Sequence, residues 1–319
     1  MPYTNTNILS GKKKRAVIKT SLFCILAIYC LISATATYAL TIFKLIPDTT
    51  VYGQIKTAPV GANDTLLDIA RRFDLGYNQI ILANPKVDPW LPKPGSNVII
   101  PQCFILPNNC LSQGIVVNLA EMRLYYFYRQ NKEHWFATGP IGIAKEGFLT
   151  QLGLYTIRTK VKHPTWVVPP SVRKEEPNLP KSIPPGPDNP LGDYILRFSR
   201  LFYGIHGTNK PWGVGRRVSH GCIRMYPEDI KALFPLVPQG TLVQVIYQPI
   251  KVGWAKDKCW IQVFPDFDKK IDNPLLYALN LISQQEDLHG PLKLQINALK
   301  TALRRHNSIP VVVAIPAKQ

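Results

Sequence analysis

Two histidines and a cysteine stand close together in the string Ile205-His206-Gly207-Thr208, followed by Arg217-Val218-Ser219-His220-Gly221-Cys222-Ile223-Arg224-Met225. A thiol attacks as its thiolate, so a reactive cysteine needs an imidazole or a positive field beside it. His206 and His220 both lie within sixteen residues of Cys222. Gly221 permits a tight turn next to the nucleophile and lets backbone N–H groups point at a developing oxyanion. Arg224, two residues on, shares a strand face with Cys222 and is placed to hold a carboxylate. Taken alone, His-Gly-Cys is also compatible with an ordinary turn. Zinc is the other chemistry such residues suggest, but it wants third and fourth ligands at regular spacing. His134, His163, His289 and His306 show no such arrangement.

The elements that must position this string are mostly strands. The 319 residues include 20 Gly and 29 Pro, with recurring Val, Ile, Tyr and Thr runs, which favours short strands joined by Pro-rich loops. From Gly114 the pattern alternates: Ile115–Leu119 and Met122–Tyr128 read as a hairpin around Ala120-Glu121. Further strands are expected at Trp135–Ile143, Leu154–Val161, Tyr194–Ile205 and Thr241–Tyr247. One helix begins at Pro227, which suits a first helical position. The whole is expected to be mainly β, a sandwich or barrel-like domain. Pro169–Pro190 reads as an ordered, lid-like loop.

Residues 52–101 read as a separate small module. Thr65 and Asp68 stand at capping-box spacing, and Leu66, Ile69, Ala70 and Phe73 repeat at helical intervals. A second helix is expected over Tyr77–Ala83, stopped by Asn84-Pro85, with a closing strand at Val98–Pro101. After Pro249 the expectations are a strand at Cys259–Phe264, helical stretches near Pro274–Gln284 and Pro291–Arg305, and a tail at Pro310–Pro316 that is a strand or an interaction segment.

At the N-terminus, Lys12, Lys13, Lys14, Arg15 and Lys19 accompany the start of the apolar run Leu22–Ile32, and Ala34-Thr35-Ala36 follows. That order reads as a secretory signal peptide over residues 1–36. Apolar residues continue through Phe43, so an uncleaved anchor reaching about residue 46 is the alternative. Either way the bulk is exported, and Cys103 and Cys110, seven apart, are expected to close a small disulfide. The net charge of +18 suits polyanionic partners, but the positives beyond the leader are scattered and no nucleic-acid motif accompanies them, which argues against nucleic acid.

The string around Cys222 resembles the signature of the L,D-transpeptidase (YkuD) catalytic domain: a His, a spacer, then Ser/Thr-His-Gly-Cys and a basic or polar residue. Twelve residues separate His206 from Ser219, and Gly114–Tyr126 and Pro185–Gly192 are similar to the enterobacterial ErfK/YbiS/YcfS/YnhG group. Asn63–Leu66, Ala83–Pro85 and Leu91–Gly95 resemble a LysM module, although Gly61-Ala62-Asn63-Asp64 replaces its usual turn. The implied order is signal peptide, LysM-like domain (52–101), catalytic domain (112–248) and a helical C-terminal extension (249–319) outside the resemblance.

The resemblance implies acyl transfer on peptidoglycan tetrapeptide stems of the meso-diaminopimelate type. Cys222 is then the nucleophile and His206 the base. Ser219, His220 and Gly221 support the oxyanion site, and Arg224 and Gly207 meet substrate. Trp166, Tyr203 and Trp212 line the donor groove, with core packing the alternative for each. The acceptor is a second stem or the lysine amine of an outer-membrane lipoprotein, and no cofactor or metal is required. A hydrolase of the same fold and a non-catalytic wall-binding protein are the rival expectations. The implied location is the periplasm, with a LysM-like module that binds N-acetylglucosamine polymers or acts as a spacer.

Overall fold

The structure is a computed structural model that describes residues 39–317, except Leu149 and residues 200–202. The expected signal peptide lies outside the described residues. Among the described residues no helix is long and apolar enough to cross a membrane. Thr41–Phe43, which lengthened the apolar leader in the sequence, belongs to an edge strand, β1 (Thr41–Lys44), paired antiparallel with Trp135–Thr138. Its alternation of half-buried and exposed positions marks a sheet edge.

The N-terminal module runs β2 (Val51–Pro59), α1 (Leu66–Arg72), α2 (Tyr77–Ala83), β3 (Asn97–Ile105), the two strands pairing antiparallel over their whole length. The capping box forms as its spacing requires: Asp68 N–H donates to Thr65 Oγ1, and the Asp68 carboxylate accepts from the Thr65 N–H. Leu66, Ile69 and Ala70 face Ile80, Val98 and Ile100 in a core of the module's own. Docking onto the larger domain depends on glycine. A side chain at Gly215, whose φ is +79°, would overlap the backbone N of Tyr77, and the close approach lets Tyr77 and Asn78 N–H groups donate to Val214 and Gly215 carbonyls.

The central domain holds β4 (Gly114–Asn118), β5 (Arg123–Gln130), β6 (Glu133–Pro140), β7 (Ile143–Ala144), β8 (Gly153–Lys162), β9 (Trp166–Val167), α3 (Pro170–Glu175), β10 (Ser182–Ile183), β11 (Tyr194–Phe198), β12 (Gly204–His206), β13 (Arg217–Ser219), β14 (Ile223–Arg224), α4 (Pro227–Leu236) and β15 (Leu242–Ile246). Its sheet has the order β1-β6-β5-β4-β15-β8-β11-β12-β14. The chain is mainly β, as expected. Tyr194–Ile205, expected as one strand, is instead the hairpin β11–β12, because the chain turns back between Phe198 and Gly204 and Arg197 pairs with Gly204. The Pro-rich segment contains the short helix α3 and β10, which pairs with β9 just ahead of the segment, not loop alone.

The C-terminal extension is less purely helical than expected. β16 (Ile250–Ala255), β17 (Lys258–Val263), β18 (Leu292–Leu294) and β19 (Val311–Pro316) form a four-stranded sheet packed by α5 (Pro274–His289) and α6 (Ile296–Arg305). The second helix starts at Ile296, not Pro291, because Leu292-Lys293-Leu294 alternates with period two and pairs with β19. The tail resolves as a strand. Cys103 and Cys110 are unbonded. Hydrogen bonds hold the Cys110 loop instead of a disulfide: Asn108 exchanges two with the Val252 backbone, and Leu111 N–H donates to Gln244.

Three parts of the chain meet at buried charges. Arg123, fully enclosed, donates to the Asp74 carbonyl and to Gln79 Oε1, each at 2.8 Å, and lies over the Phe104 ring. Asp74 accepts from Thr41 and Asp229 from the Leu40 N–H. Their remaining oxygens, Asp74 Oδ1 and Asp229 Oδ2, both lie beside Gly139, buried and with no hydrogen-bond partner among the described residues. Burial, reinforced by the charge of Asp74, drives Asp229 well above the usual carboxylate range, and burial carries Asp74 to about 6 against the pull of Arg123. Lys251 is paired with Glu121 at 2.7 Å, both fully enclosed.

Candidate active site

Strand register gathers the chemistry on one face. β12 pairs antiparallel with β11, bringing Ile195 opposite His206 and Arg197 opposite Gly204. It pairs in parallel with β14, setting Ile205 against Ile223 and His206 against Arg224. Because side chains alternate, Ile205, Ile223 and Leu196 point into the main core, while His206, Cys222, Arg224 and Arg197 take the other face. Apolar residues at every second position are therefore what aims the polar ones outward.

The turn between β13 and β14 is braced by Ser219. Its hydroxyl donates to the Cys222 carbonyl at 2.6 Å and accepts from the Gly221 N–H at 3.2 Å. Gly221 adopts φ +126°, and its carbonyl accepts from Thr150 Oγ1 at 2.9 Å. The Gly221 N–H, expected at the oxyanion site, is thus directed to Ser219, because the positive φ turns the peptide toward that hydroxyl. The His220 ring is held by the neighbouring segments: Nε2 lies 3.1 Å from Glu175 Oε2, and the ring packs T-shaped with Phe148, centroids 4.7 Å apart. Glu175, at the end of α3, also pairs with Lys145 at 2.7 Å, so the Pro-rich segment is tied to the turn that carries Cys222.

His206 is buried, 4% exposed, and its Nδ1 lies 2.6 Å from the Gly207 carbonyl. A carbonyl only accepts, so Nδ1 carries the proton and Nε2 is left as the basic nitrogen. Gly207, expected to meet substrate, acts here through its backbone as the orienter of the imidazole. Burial pushes His206 down to about 3, helped by the positive charges of Arg224 and Arg197 and opposed by the Gly207 hydrogen bond. Burial pushes the Cys222 thiol up, while the Gly204 N–H, Arg224 and Arg197 pull it down. The resting pair is therefore neutral thiol and neutral imidazole.

Cys222, His206, Ser219, His220 and Arg224 line one side of a cleft of about 310 Å³, and Trp166, Pro169, Val172 and Leu191 wall the other. Arg224 is largely enclosed there, its Nε with no acceptor among the described residues. Trp166 lies in the cleft as expected of it. Tyr203 packs against the main core, and Trp212, 56% exposed, stands outside the cleft in a neighbouring groove beside Arg216 and Arg224. The residue that sequence reasoning missed is Arg197, whose charge acts on both Cys222 and His206. Its signal was the alternation Leu196-Arg197-Phe198, hidden while β11 and β12 were read as one strand.

Residues 112–245 match the YkuD family, the L,D-transpeptidase catalytic domain. The probable L,D-transpeptidase ErfK/SrfK of Escherichia coli (strain K12) is 37% identical over 313 residues, spanning 92% of this chain and 98% of that protein. The probable L,D-transpeptidase YbiS of the same strain is 37% identical over 268 residues, 81% of this chain and 86% of its own length. YcfS, named likewise, is 35% identical over 255 residues, 77% and 79% of the two chains. With the Cys–His face, its bracing turn and relatives matched over most of their length, this chain belongs to the L,D-transpeptidase family.

Proposed function

We propose that this chain is a cysteine acyltransferase acting on meso-diaminopimelate tetrapeptide stems of peptidoglycan. The observation that carries the reading is the Nδ1–H···O=C bond from His206 to Gly207, which leaves Nε2 unprotonated on the sheet face that bears Cys222 and so supports its role as the base. Nε2 takes the thiol proton as sulfur attacks the carbonyl at the L-centre of diaminopimelate. The C–N bond to the terminal D-Ala breaks, the imidazolium returns its proton to the departing amine, and a thioester remains on Cys222. In the second step His206 deprotonates an acceptor amine, which attacks the thioester and expels the thiolate, and the thiolate recovers the proton.

Arg224, enclosed in the cleft, supplies a positive field for the tetrahedral oxyanion and binds a stem carboxylate. The acceptor is a second stem or the lysine amine of a lipoprotein. The leader-like N-terminus supports a periplasmic site of action. The βααβ module at residues 51–105 is proposed as a LysM-like domain that holds the enzyme on the glycan.

The test is mass spectrometry of the protein with a tetrapeptide donor and with a carbapenem, whose strained carbonyl traps an acyl-enzyme. A covalent adduct on Cys222, and amide-linked product once an amine is supplied, is the expected result. A tripeptide acid as the only product would make the chain a hydrolase, and no adduct on Cys222 would reject the acyl-enzyme.

A further inference from the structure

The two sides of Cys222 differ. Toward Arg224 the nucleophile faces the walled cleft, with Trp166 and the Pro-rich segment opposite. In the other direction the next residue across the sheet is Gly204, which has no side chain, and beyond it on β11 stands Arg197. Gly204 is held as glycine by backbone. A Cβ there would sit 2.6 Å from the Leu196 carbonyl oxygen and 3.3 Å from the Arg197 Cα. Thiol and guanidinium thus stand on one sheet face two strand spacings apart, roughly 10 Å, with a glycine between them, a span that an extended arginine side chain reaches across.

Arg197 is exposed, and Thr159, opposite it on β8, is exposed as well. A register shift follows Arg197 in the β8–β11 pairing, the kind of irregularity that re-aims a side chain at the edge of a site. Among the described residues no carboxylate pairs with Arg197, whereas Arg71 and Arg217 on the same molecule are both matched by acids. Its charge nonetheless reaches both Cys222 and His206.

We propose that Arg197 is the carboxylate anchor for the amine-side substrate: the terminal D-Ala that leaves in the first step and, in the second, an acceptor whose amine stands next to a carboxylate. The inference rests on the acyl-transfer reading above. Its assignment of sides follows from enclosure. The donor acyl group stays bound through both steps and belongs in the walled cleft with Arg224. The amine side must empty and refill between steps and belongs with the exposed Arg197. Because D-Ala departs from where the acceptor amine arrives, one cation serves both. An amine α to a carboxylate, such as the D-centre of a second diaminopimelate, is then favoured over a lysine ε-amine, which has no carboxylate beside it.

The experiment compares two donors that differ only in the leaving group, a tetrapeptide ending in D-Ala and the same peptide ending in D-alaninamide, with release of the amine followed as kcat/KM. The wild type should prefer the acid by about ten- to hundredfold, the scale of one charge-assisted hydrogen-bonded contact. Arg197→Gln should bring the two substrates within about threefold of each other by losing rate on the acid alone, and Arg197→Lys should restore most of the preference. Arg224→Gln should lower both substrates together. A wild-type preference that survives Arg197→Gln, or no preference in the wild type, overturns the inference while leaving acyl transfer intact. Failure of both donors to acylate Cys222 in the wild type overturns the acyl-transfer reading and this inference with it.

Discussion

Cys222 and Cys259 are both strand-associated thiols that burial pushes upward, yet their surroundings differ in sign. Cys259 sits on β17 between Trp254 and Ala314, fully enclosed, and its thiol is driven to about 12 by burial with Glu286 adding in the same direction. Cys222 lies at the floor of a cleft, where the Gly204 N–H, Arg224 and Arg197 oppose burial and a neutral imidazole shares its face. A thiol does not become a nucleophile by being exposed or by having a low resting pKa. It becomes one where the field favours the anion and a base can take the proton.

The largest effect that sharpens this comparison is a pair of deletions. Cys222→Ala should reduce acyl transfer to background, whereas Cys259→Ala should leave kcat/KM unchanged and lower stability by about 1 kcal/mol, the cost of one buried atom. Adduct mass and urea denaturation read the two results. Next in size is His206→Ala, expected to slow acylation by roughly a hundredfold or more. His206→Gln should not rescue it, since an amide can replace the hydrogen bond to Gly207 but not the base.

The rule that nearby charge decides a buried proton can be tested away from the catalytic face, at Asp74 and Asp229. An acid whose folded pKa is raised contributes stability that is complete below its unfolded value near 4 and is lost as pH rises through the folded value. For Asp74, carried to about 6, the loss falls between about pH 4 and pH 6. Asp229→Asn places an amide N–H against Asp74 Oδ1 beside Arg123 and should flatten the slope, raising the melting temperature at pH 7 more than at pH 4. An unchanged slope would mean that the two carboxyls do not share a proton. The smallest effect is expected at the exposed Glu175. Glu175→Gln loosens the tie from α3 to Lys145 and His220 and should raise the donor KM about two- to threefold with little change in kcat.

How much was legible follows the range of the interactions. The helices at Leu66–Arg72 and Tyr77–Ala83 came from a capping box and a stop at Asn84-Pro85, all within a few residues. The hairpin around Ala120-Glu121 and the string ending in Cys222 were equally local. What escaped was set by distant partners. β1 reads as leader until Trp135–Thr138 pairs with it. Arg197 joins the site only through the turn that brings Gly204 back beside it. Ile115–Asn118 lies parallel to Val243–Ile246 across more than a hundred residues, a pairing that no alternation pattern encodes. The Asp74–Asp229 pair joins a loop to a helix in the same way.

The most direct test of the account is the pH dependence of Cys222 acylation by a carbapenem, in the wild type and in His206→Ala. An imidazole alone near 6.5 beside a thiol would give a rate that levels off close to neutrality. With His206 pushed to about 3 and the thiol raised, the base is available throughout, and attack proceeds from a neutral pair. The wild-type rate should therefore be flat from about pH 5 to pH 8, while His206→Ala, dependent on free thiolate, should climb about tenfold per unit over the same range. Parallel profiles in the two proteins, or an adduct on Cys259, would contradict the assignment of Cys222 and His206 as nucleophile and base.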